Sequence, residues 1–258
     1  MNQPLEVVKT RATLMTFQSL DHIRDDRIIG MIVGPSGFGK TYPVKAWVRK
    51  QGPNFRYFWI EADVLTSPRP ILDCFVRALH LGTTAGSHQT LFYTKRRIVE
   101  ALAKDPVMAI IGQADLLAVP RSFELLRSIW DDVSSLGDTD GESGFPLALL
   151  GTPKLAQALD REDLEPLRRR VSHRAILPPL NRGELKTAVA TKWPELRFDD
   201  ESLPELLRLS SGSFGWVKEI MRKAAIIASK NGCLVSLAVL REAQKHLIGL
   251  PEEEWRRE

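Results

Sequence analysis

The chain has 258 residues, of which 43% are hydrophobic and 26% are charged. This composition is typical of a globular protein and excludes a disordered or collagen-like chain. Two cysteines, Cys74 and Cys233, are too few for a disulfide framework or a cysteine-based zinc cluster, which favours a reducing intracellular compartment. The 36 basic residues exceed the 32 acidic residues, so the net charge of +4 permits a polyanionic partner without establishing one.

No segment of the sequence suggests a membrane partner or a secretory signal. The longest apolar runs are far shorter than the roughly 20 residues that a bilayer requires, and the N-terminus lacks the apolar core of a signal peptide. We therefore expect a cytoplasmic protein. The five histidines show no metal-ligand spacing, so no histidine metal site is predicted.

Short apolar runs alternate with helical patterns over the first two thirds of the chain. The predicted strands cover residues 27–33, 55–61, 107–111, 146–150 and 174–177, and the predicted helices cover residues 40–50, 71–81, 91–103 and 122–136. Nearly continuous apolar strands that alternate with helices are typical of a parallel sheet covered by helices on both faces. After Pro178 and Pro179 only helices are predicted, over residues 182–193, 202–209, 214–230 and 236–247.

Residues 34–41 read GPSGFGKT and match the phosphate-loop pattern G-x-x-x-x-G-K-[ST]. A predicted strand precedes the match and a predicted helix follows it, as this loop requires. Backbone N–H groups of the glycine-rich turn and the positive end of the helix bind nucleotide phosphates. We expect Lys40 to contact the β- and γ-phosphates of ATP, and the Thr41 hydroxyl to bind Mg²⁺. The predicted ATP-binding residues are Gly34, Pro35, Ser36, Gly37, Phe38, Gly39, Lys40 and Thr41.

The third predicted strand ends without the two acids that support hydrolysis in phosphate-loop enzymes. Gly112 stands where an aspartate would hold Mg²⁺, and Gln113 stands at the catalytic position of the glutamate that polarises water. ATP binding with slow or absent hydrolysis is therefore predicted. The alternative is that Glu61 or Asp63, at the end of the second strand, substitutes for the missing acid. Asp115 is expected to cap the helix that follows.

In this order the motifs resemble the AAA+ ATPases and, more narrowly, the DNA-transposition regulators typified by the phage Mu B protein, TnsC and IstB. The resemblance covers nearly the whole chain. Residues 110–117 (IIGQADLL) resemble the third-strand block of that family with its first two acids lost. Residues 149–153 (LLGTP) resemble its fourth strand, whose terminal polar residue, here Thr152, senses the γ-phosphate in the family.

The resemblance also implies residues that act between subunits and in a helical lid. Among residues 168–170 (RRR), Arg170 is the residue expected to reach a neighbouring subunit's nucleotide, and a solvated basic face is the alternative. Residues 211–217 (SGSFGWV) resemble the lid turn that normally carries a nucleotide-sensing arginine. Trp216 stands in that place, where it packs against adenine or, more simply, within the lid core.

The implied fold is a P-loop AAA+ α/β domain with a three-layer parallel sheet and a small C-terminal helical lid domain. We divide the chain into an N-terminal extension (1–26), the nucleotide-binding domain (27–178), the lid (179–250) and a tail (251–258). The tail is interpreted as a frayed end or as a docking peptide that acts through Trp255.

In the family, the loop after the second strand and the helix before the third line a channel that follows one DNA backbone. The corresponding DNA-binding residues are Thr66, Ser67, Arg69, Lys95, Arg96 and Arg97. Contacts to phosphates would bind duplex DNA without sequence preference and would weaken with salt. The alternative is that this basic run is a solvated helix face.

The resemblance implies an ATP- and Mg²⁺-dependent homo-oligomer, a head-to-tail filament or ring, that binds double-stranded DNA and selects it as a target. Its partner would be a transposase, together with a target-selection adaptor in some systems. One alternative is a helicase loader or replication initiator of the same superfamily. Another is a nucleotide-gated signalling or secretion scaffold that binds no DNA.

Overall fold

The computed structural model describes residues 7–82, 90–117, 120–137, 144–199, 201–231 and 234–247. The tail at 251–258, with Trp255, and most of the polar loop between the fourth helix and the fourth strand lie outside the described residues. Within the described part of the chain, no helix is long and apolar enough to span a membrane.

Five strands of the described chain form one sheet. They are β1 (Ile29–Val33), β2 (Tyr57–Glu61), β3 (Met108–Gly112), β4 (Leu147–Gly151) and β5 (Val171–Ile176). Their order is β2-β3-β4-β1-β5, and every pairing is parallel, so all five carboxyl ends lie at the same edge. The prediction of an α/β fold with a parallel sheet is confirmed.

Helices precede, separate and follow the strands. Those before β5 are α1 (Arg11–Asp25), α2 (Thr41–Lys50), α3 (Pro68–Ala78), α4 (Leu91–Lys104), α5 (Arg121–Leu136), α6 (Pro153–Leu159) and α7 (Glu165–Arg170). Those after β5 are α8 (Arg182–Lys192), α9 (Ser202–Ser210), α10 (Phe214–Asn231) and α11 (Leu237–Lys245). The purely helical C-terminal part was predicted, whereas the long helix α1 within the N-terminal extension was not.

The chain folds as two compact units. One contains the described parts of Met1–Met15, Pro35–Ala46 and Leu177–Glu258, and we call it the loop-and-lid unit. The other contains Thr16–Gly34 and Trp47–Ile176, and we call it the sheet unit. The division into domains at residues 26, 178 and 250 stays a prediction.

The core of the sheet unit follows from the alternation of side chains along its strands. Ile29 and Met31 of β1 face a hydrophobic core that includes Phe75 of α3 and Phe123 of α5. Gly30 faces the opposite side, where an added Cβ would lie 2.3 Å from the Ile23 side chain of α1. The glycine therefore allows α1 to pack closely against β1.

The helical part of the loop-and-lid unit has its own core. Leu206 of α9, Ile220 and Met221 of α10 and Leu240 of α11 are fully buried and belong to one cluster. At the start of α8, Asn181 and Glu184 form a reciprocal capping box, which satisfies backbone N–H groups that the helix cannot pair internally. These contacts explain why the predicted helices after residue 178 form a compact body.

His173 of β5 makes the stability of the sheet unit depend on pH. Its Nε2 lies 2.9 Å from Ser19 Oγ, and its ring packs edge-on against His22 with 5.0 Å between centroids. Burial, and then the charge of His22, hold the pKa of His173 below its usual value of 6.5. The contribution of neutral His173 to stability is therefore complete above about pH 6.5 and is lost as the pH falls towards the lower folded-state pKa.

We expect the melting temperature of the protein to fall more steeply between about pH 7 and pH 5.5 than that of His173→Gln, which cannot titrate. Thermal unfolding followed by circular dichroism at several pH values measures both slopes. Identical slopes would show that His173 does not cause the pH dependence of the melting temperature.

Candidate nucleotide site

The phosphate loop leads from β1 into α2, so the strand and the helix that its motif requires are both present. Gly37 and Gly39 have φ angles of +81° and +80°, a left-handed conformation that glycine adopts at no steric cost. The Lys40 Nζ donates a hydrogen bond of 2.9 Å to the Pro35 carbonyl, so the lysine folds back over the loop. Thr41 is the first residue of α2 and is exposed.

Backbone contacts join the phosphate loop to the start of α10. The Gly215 N–H donates to the Gly37 carbonyl at 2.8 Å. A Cβ on Gly215 would lie 2.8 Å from the Gly37 Cα, and a Cβ on Gly37 would lie 2.5 Å from the Ser213 Oγ. This contact therefore requires glycine at both positions.

An apolar pocket of about 440 Å³ adjoins the phosphate loop within the loop-and-lid unit. Its walls come from three segments that are distant in sequence, namely the N-terminal segment, the loop with the start of α2, and the lid helices. Aromatic rings and two lysine stems supply much of the lining: Phe38, Tyr42, Trp193, Phe214, Lys192 and Lys218. Such a volume and lining are typical of small-molecule sites. Trp216 is half-buried and does not line this pocket, and its contact with a nucleotide stays a prediction.

The N-terminal wall of the pocket is held by Arg11 at the start of α1. Its guanidinium donates to Glu184 Oε1 at 3.2 Å and to the Pro179 carbonyl at 2.8 Å. Burial alone raises the pKa of Glu184, but hydrogen bonds from the Arg11 and Asn181 backbone N–H groups and from the Arg11 side chain outweigh it, so the pKa lies below its usual value. Glu184 therefore stays ionised at neutral pH and clamps the N-terminal segment to α8.

The carboxyl ends of β2 and β3 carry a polar cluster formed by Glu61, Gln113 and Trp59. Gln113 Nε2 donates to Glu61 Oε1 at 2.7 Å, and Trp59 Nε1 donates to Glu61 Oε2 at 2.6 Å. Gln113 has a left-handed φ of +51°, which is uncommon for a residue with a side chain. Asp63, the other acid considered from sequence, accepts bonds from the Leu65 N–H and the Thr66 hydroxyl within its own turn.

Asp115 bonds to Thr152 rather than to the helical turn that follows β3. Its carboxylate accepts bonds from the Thr152 N–H at 3.0 Å and from the Thr152 hydroxyl at 2.9 Å. The prediction that Asp115 caps the next helix is wrong, because α5 follows Pro120 without a side-chain cap. The donors to the Asp115 carboxylate come instead from Thr152, the residue directly after β4. The Thr152 hydroxyl also accepts the Lys154 N–H at the start of α6, so it acts as a helix cap here.

The three consecutive arginines close α7, directly before β5. Arg170 Nε donates to Asp131 of α5 at 2.8 Å, and its side chain is half-exposed. Arg169 pairs with Glu165 one helical turn earlier. Contact of Arg170 with a neighbouring subunit stays a prediction, and it requires that Arg170 leave Asp131.

The residues predicted to bind DNA fall into two groups. Arg69 and Arg96 have side chains that are 60% and 67% exposed, and each pairs with an acid of its own helix, Asp73 and Glu100 respectively. Other members of the predicted set are engaged within the protein. Lys95 contacts Ser128 and Asp132, Arg97 donates to the Leu81 and Gly82 carbonyls, and the buried Thr66 holds its own turn. Ser67 is half-buried and occupies the N-cap position of α3, without a side-chain hydrogen bond to the helix.

A sequence profile of the AAA domain matches residues 23–159, just over half of the chain. The chain belongs to the AAA domain family. The matched part of the AAA domain includes the phosphate loop, Glu61, Gln113 and Thr152. No curated protein sequence matches the chain.

Solved structures share this AAA domain fold at low sequence identity. The ORC1 protein of Aeropyrum pernix in complex with DNA is 16% identical with a TM-score of 0.62, over 94% of this chain and 66% of that chain. The Aeropyrum pernix ORC2 protein in ADPNP–ADP complexes is 18% identical with a TM-score of 0.66, over 96% and 70% of the two chains. The Thermotoga maritima RuvB Holliday junction branch migration motor is 14% identical with a TM-score of 0.59, over 95% and 74%. These similarities concern the fold, and the chain spans about two thirds of the ORC1 chain.

Proposed function

We propose that this AAA protein is an ATP-binding oligomer that assembles on duplex DNA, selects it as a target and recruits or activates a transposase, with weak or absent ATP hydrolysis. The observation that carries the proposal is the apolar pocket beside the phosphate loop. The transposase part of the proposal is supported by the sequence resemblance to the Mu B, TnsC and IstB regulators.

The residues of the loop-and-lid unit fit a nucleotide. The aromatic and apolar lining accepts a purine ring, and the left-handed glycines and Lys40 suit phosphates. The ADPNP–ADP complexes of ORC2 support the same use of the fold. A bound Mg²⁺ would neutralise phosphate charge, with the Thr41 hydroxyl as one ligand. Phosphate oxygens of the nucleotide and water would supply other ligands.

Weak hydrolysis follows from Gln113, which cannot take a proton from water as a glutamate does. The protein would then stay bound to DNA in its ATP-bound state, because hydrolysis would not release it. A phosphate-release assay with and without duplex DNA tests this part of the proposal. Rapid turnover that Lys40→Ala abolishes would contradict it.

Oligomer formation would join subunits head to tail, with Arg170 of one subunit completing the nucleotide site of the next. The half-exposed Arg170 side chain supports this role because it can exchange Asp131 for a phosphate. Thr152, held by Asp115, would report the γ-phosphate only after its hydroxyl changes partner.

DNA binding is supported by the exposed guanidinium groups of Arg69 and Arg96 and by the ORC1 structure in complex with DNA. We expect the protein to retard duplex DNA in a gel when ATP is present. The double variant Arg69→Glu and Arg96→Glu should weaken this binding about tenfold near physiological salt and lower the salt slope by about 1 for each lost phosphate contact.

Arg222→Glu is the matched control, because Arg222 is also an exposed arginine paired along its own helix, with Glu219 of α10. If the unmodified protein, the double variant and Arg222→Glu all retard DNA equally, then Arg69 and Arg96 do not form the DNA contact. Absence of any retardation by the unmodified protein would instead favour a scaffold without DNA binding.

The second candidate is a replication initiator or helicase loader, and the similarity to ORC1 and ORC2 favours it. Both candidates share ATP and DNA binding but differ in the protein they serve. Stimulation of strand transfer by a transposase encoded beside the gene would support the first candidate, and loading of a replicative helicase would support the second.

A further inference from the structure

We propose that the first turn of α4 is a stacking site for unpaired nucleobases, formed by the rings of Phe92 and Tyr93 beside the guanidinium of Arg96. The inference rests on the proposed DNA binding and deepens it, because it names locally unpaired DNA as the target that the protein selects. All of the residues that form the site belong to the sheet unit.

The start of α4 carries a contiguous group of exposed apolar residues. Phe92 is 69% exposed and Tyr93 is 60% exposed, and Leu91 directly before them is 45% exposed. The two rings contact each other edge to face, with 5.8 Å between their centroids. Single apolar residues are common on protein surfaces, whereas a contiguous group that includes two aromatic rings is typical of a binding surface.

The rest of α4 is held within the sheet unit, so the helix presents the rings from a fixed position. Ile98 of α4 is fully buried in the core. Lys95 forms an ion pair with Asp132 of α5, and Arg97 donates to the Leu81 carbonyl at 2.6 Å. These two basic residues therefore attach α4 to its neighbours. A surface that is ordered before its ligand arrives loses little conformational freedom on binding.

A positive charge lies on the same side of α4 as the rings. Arg96 follows Phe92 by four residues, about one helical turn, and its side chain is 67% exposed. Its Nε lies 3.0 Å from Glu100 Oε1, an exposed pair in which a phosphate can replace the carboxylate. Aromatic rings beside a guanidinium match the two parts of a nucleotide, its base and its phosphate. The positive charge favours such a polyanion over an apolar protein surface as the ligand.

The rings favour unpaired bases over paired ones. In a duplex each base face is covered by the neighbouring base pairs, so a protein reaches only base edges, sugars and phosphates. An unpaired base offers its face, on which phenylalanine and tyrosine stack without sequence preference. Phosphate contacts from Arg69 and Arg96 are available with paired and unpaired DNA alike. The arginines therefore supply affinity, and the rings supply the preference for unpaired DNA.

The test compares the affinity for two labelled DNAs of equal length by fluorescence anisotropy in the presence of ATP. One DNA is a fully paired duplex, and the other has a central stretch of mismatched, unpaired bases. We expect the unmodified protein to bind the mismatched DNA about tenfold more tightly than the duplex. The double variant Phe92→Ala and Tyr93→Ala should lose most of this preference while its affinity for the paired duplex is unchanged.

Further variants separate stacking from apolar contact and from charge. Phe92→Trp keeps an aromatic face and should retain the preference, whereas Phe92→Leu keeps only apolar surface and should lose part of it. Arg96→Gln should weaken binding to both DNAs by a similar factor. Tyr57→Ala is the matched control, because Tyr57 is also an exposed tyrosine of the sheet unit. Arg56 beside it pairs with Asp105 at the opposite end of α4. Melting temperatures confirm that each variant is folded.

Equal affinity of the unmodified protein for the two DNAs would overturn the inference while leaving the proposed DNA binding intact. A preference that the double variant of Phe92 and Tyr93 retains in full would also overturn it, as would a Phe92→Leu variant with the same preference as Phe92→Trp. A protein that binds neither DNA would remove the proposed function as well.

Discussion

Replacing Lys40 with alanine is expected to weaken ATP binding on the order of 100-fold, or about 2.7 kcal/mol. Lys40 follows the two left-handed glycines of the phosphate loop, and its ammonium group would leave the Pro35 carbonyl for the phosphates. A charge-assisted bond to phosphate is stronger than this bond to a neutral carbonyl, so the exchange favours the bound state. Isothermal titration calorimetry with a non-hydrolysable ATP analogue measures the change.

Lys45→Ala is the control for this prediction, since Lys45 is an exposed lysine on α2, the helix that follows Lys40. It also removes one positive charge but leaves the residues of the phosphate loop unchanged. Equal affinity of Lys40→Ala and Lys45→Ala would mean that the motif does not bind phosphates in this protein. Loss of ATP binding should also remove ATP-dependent DNA retardation in Lys40→Ala alone.

Adding a single methyl group at Gly215 is expected to have the second large effect. In Gly215→Ala the new Cβ would lie 2.8 Å from the Gly37 Cα, and backbone cannot move aside as a flexible side chain can. Overpacking of this kind costs about 1–3 kcal/mol. We expect lower stability in urea and weaker ATP binding together, because the strain falls on the phosphate loop itself.

Gly183→Ala is the matched control in the same unit. An added Cβ there lies 3.4 Å from Asn181 Oδ1, an ordinary contact, and Gly183 is the second residue of α8, where the helical backbone suits alanine. Its urea midpoint should be unchanged or slightly higher. A Gly215→Ala protein as stable as Gly183→Ala would show that the contact between the loop and α10 is not close in solution.

The sequence predicted the sheet because each strand is a short apolar run with clear ends. The predicted strand at 27–33 and helix at 40–50 correspond to Ile29–Val33 and Thr41–Lys50. The phosphate-loop motif between them requires a strand before it and a helix after it, which fixed both predictions. Helix α1 was missed, although Leu14, Phe17, Leu20 and Ile23 recur every three residues along it. Polar residues between them weakened the helical pattern in the sequence. The helix is stabilised instead by tertiary packing against β1.

The pocket could not be predicted from local patterns, because its three walls are joined only by the folded chain. Val8 and Trp193 belong to no recognisable sequence motif, yet both line the pocket together with Phe38. The pairing of Glu61 with Gly112 likewise depends on the register between β2 and β3, which a single sequence does not specify. The contacts of Lys95 with α5 could not be predicted for the same reason. The sequence therefore suggested that more of the basic run is free to bind DNA than the structure shows.

The most direct measurement is electron microscopy of the protein with duplex DNA, with and without ATP, beside Lys40→Ala. We predict filaments or rings on DNA for the unmodified protein only when ATP is present, and single particles for Lys40→Ala under every condition. Single particles of the unmodified protein with both ligands, or equal assembly without ATP, would contradict an ATP-dependent assembly on DNA.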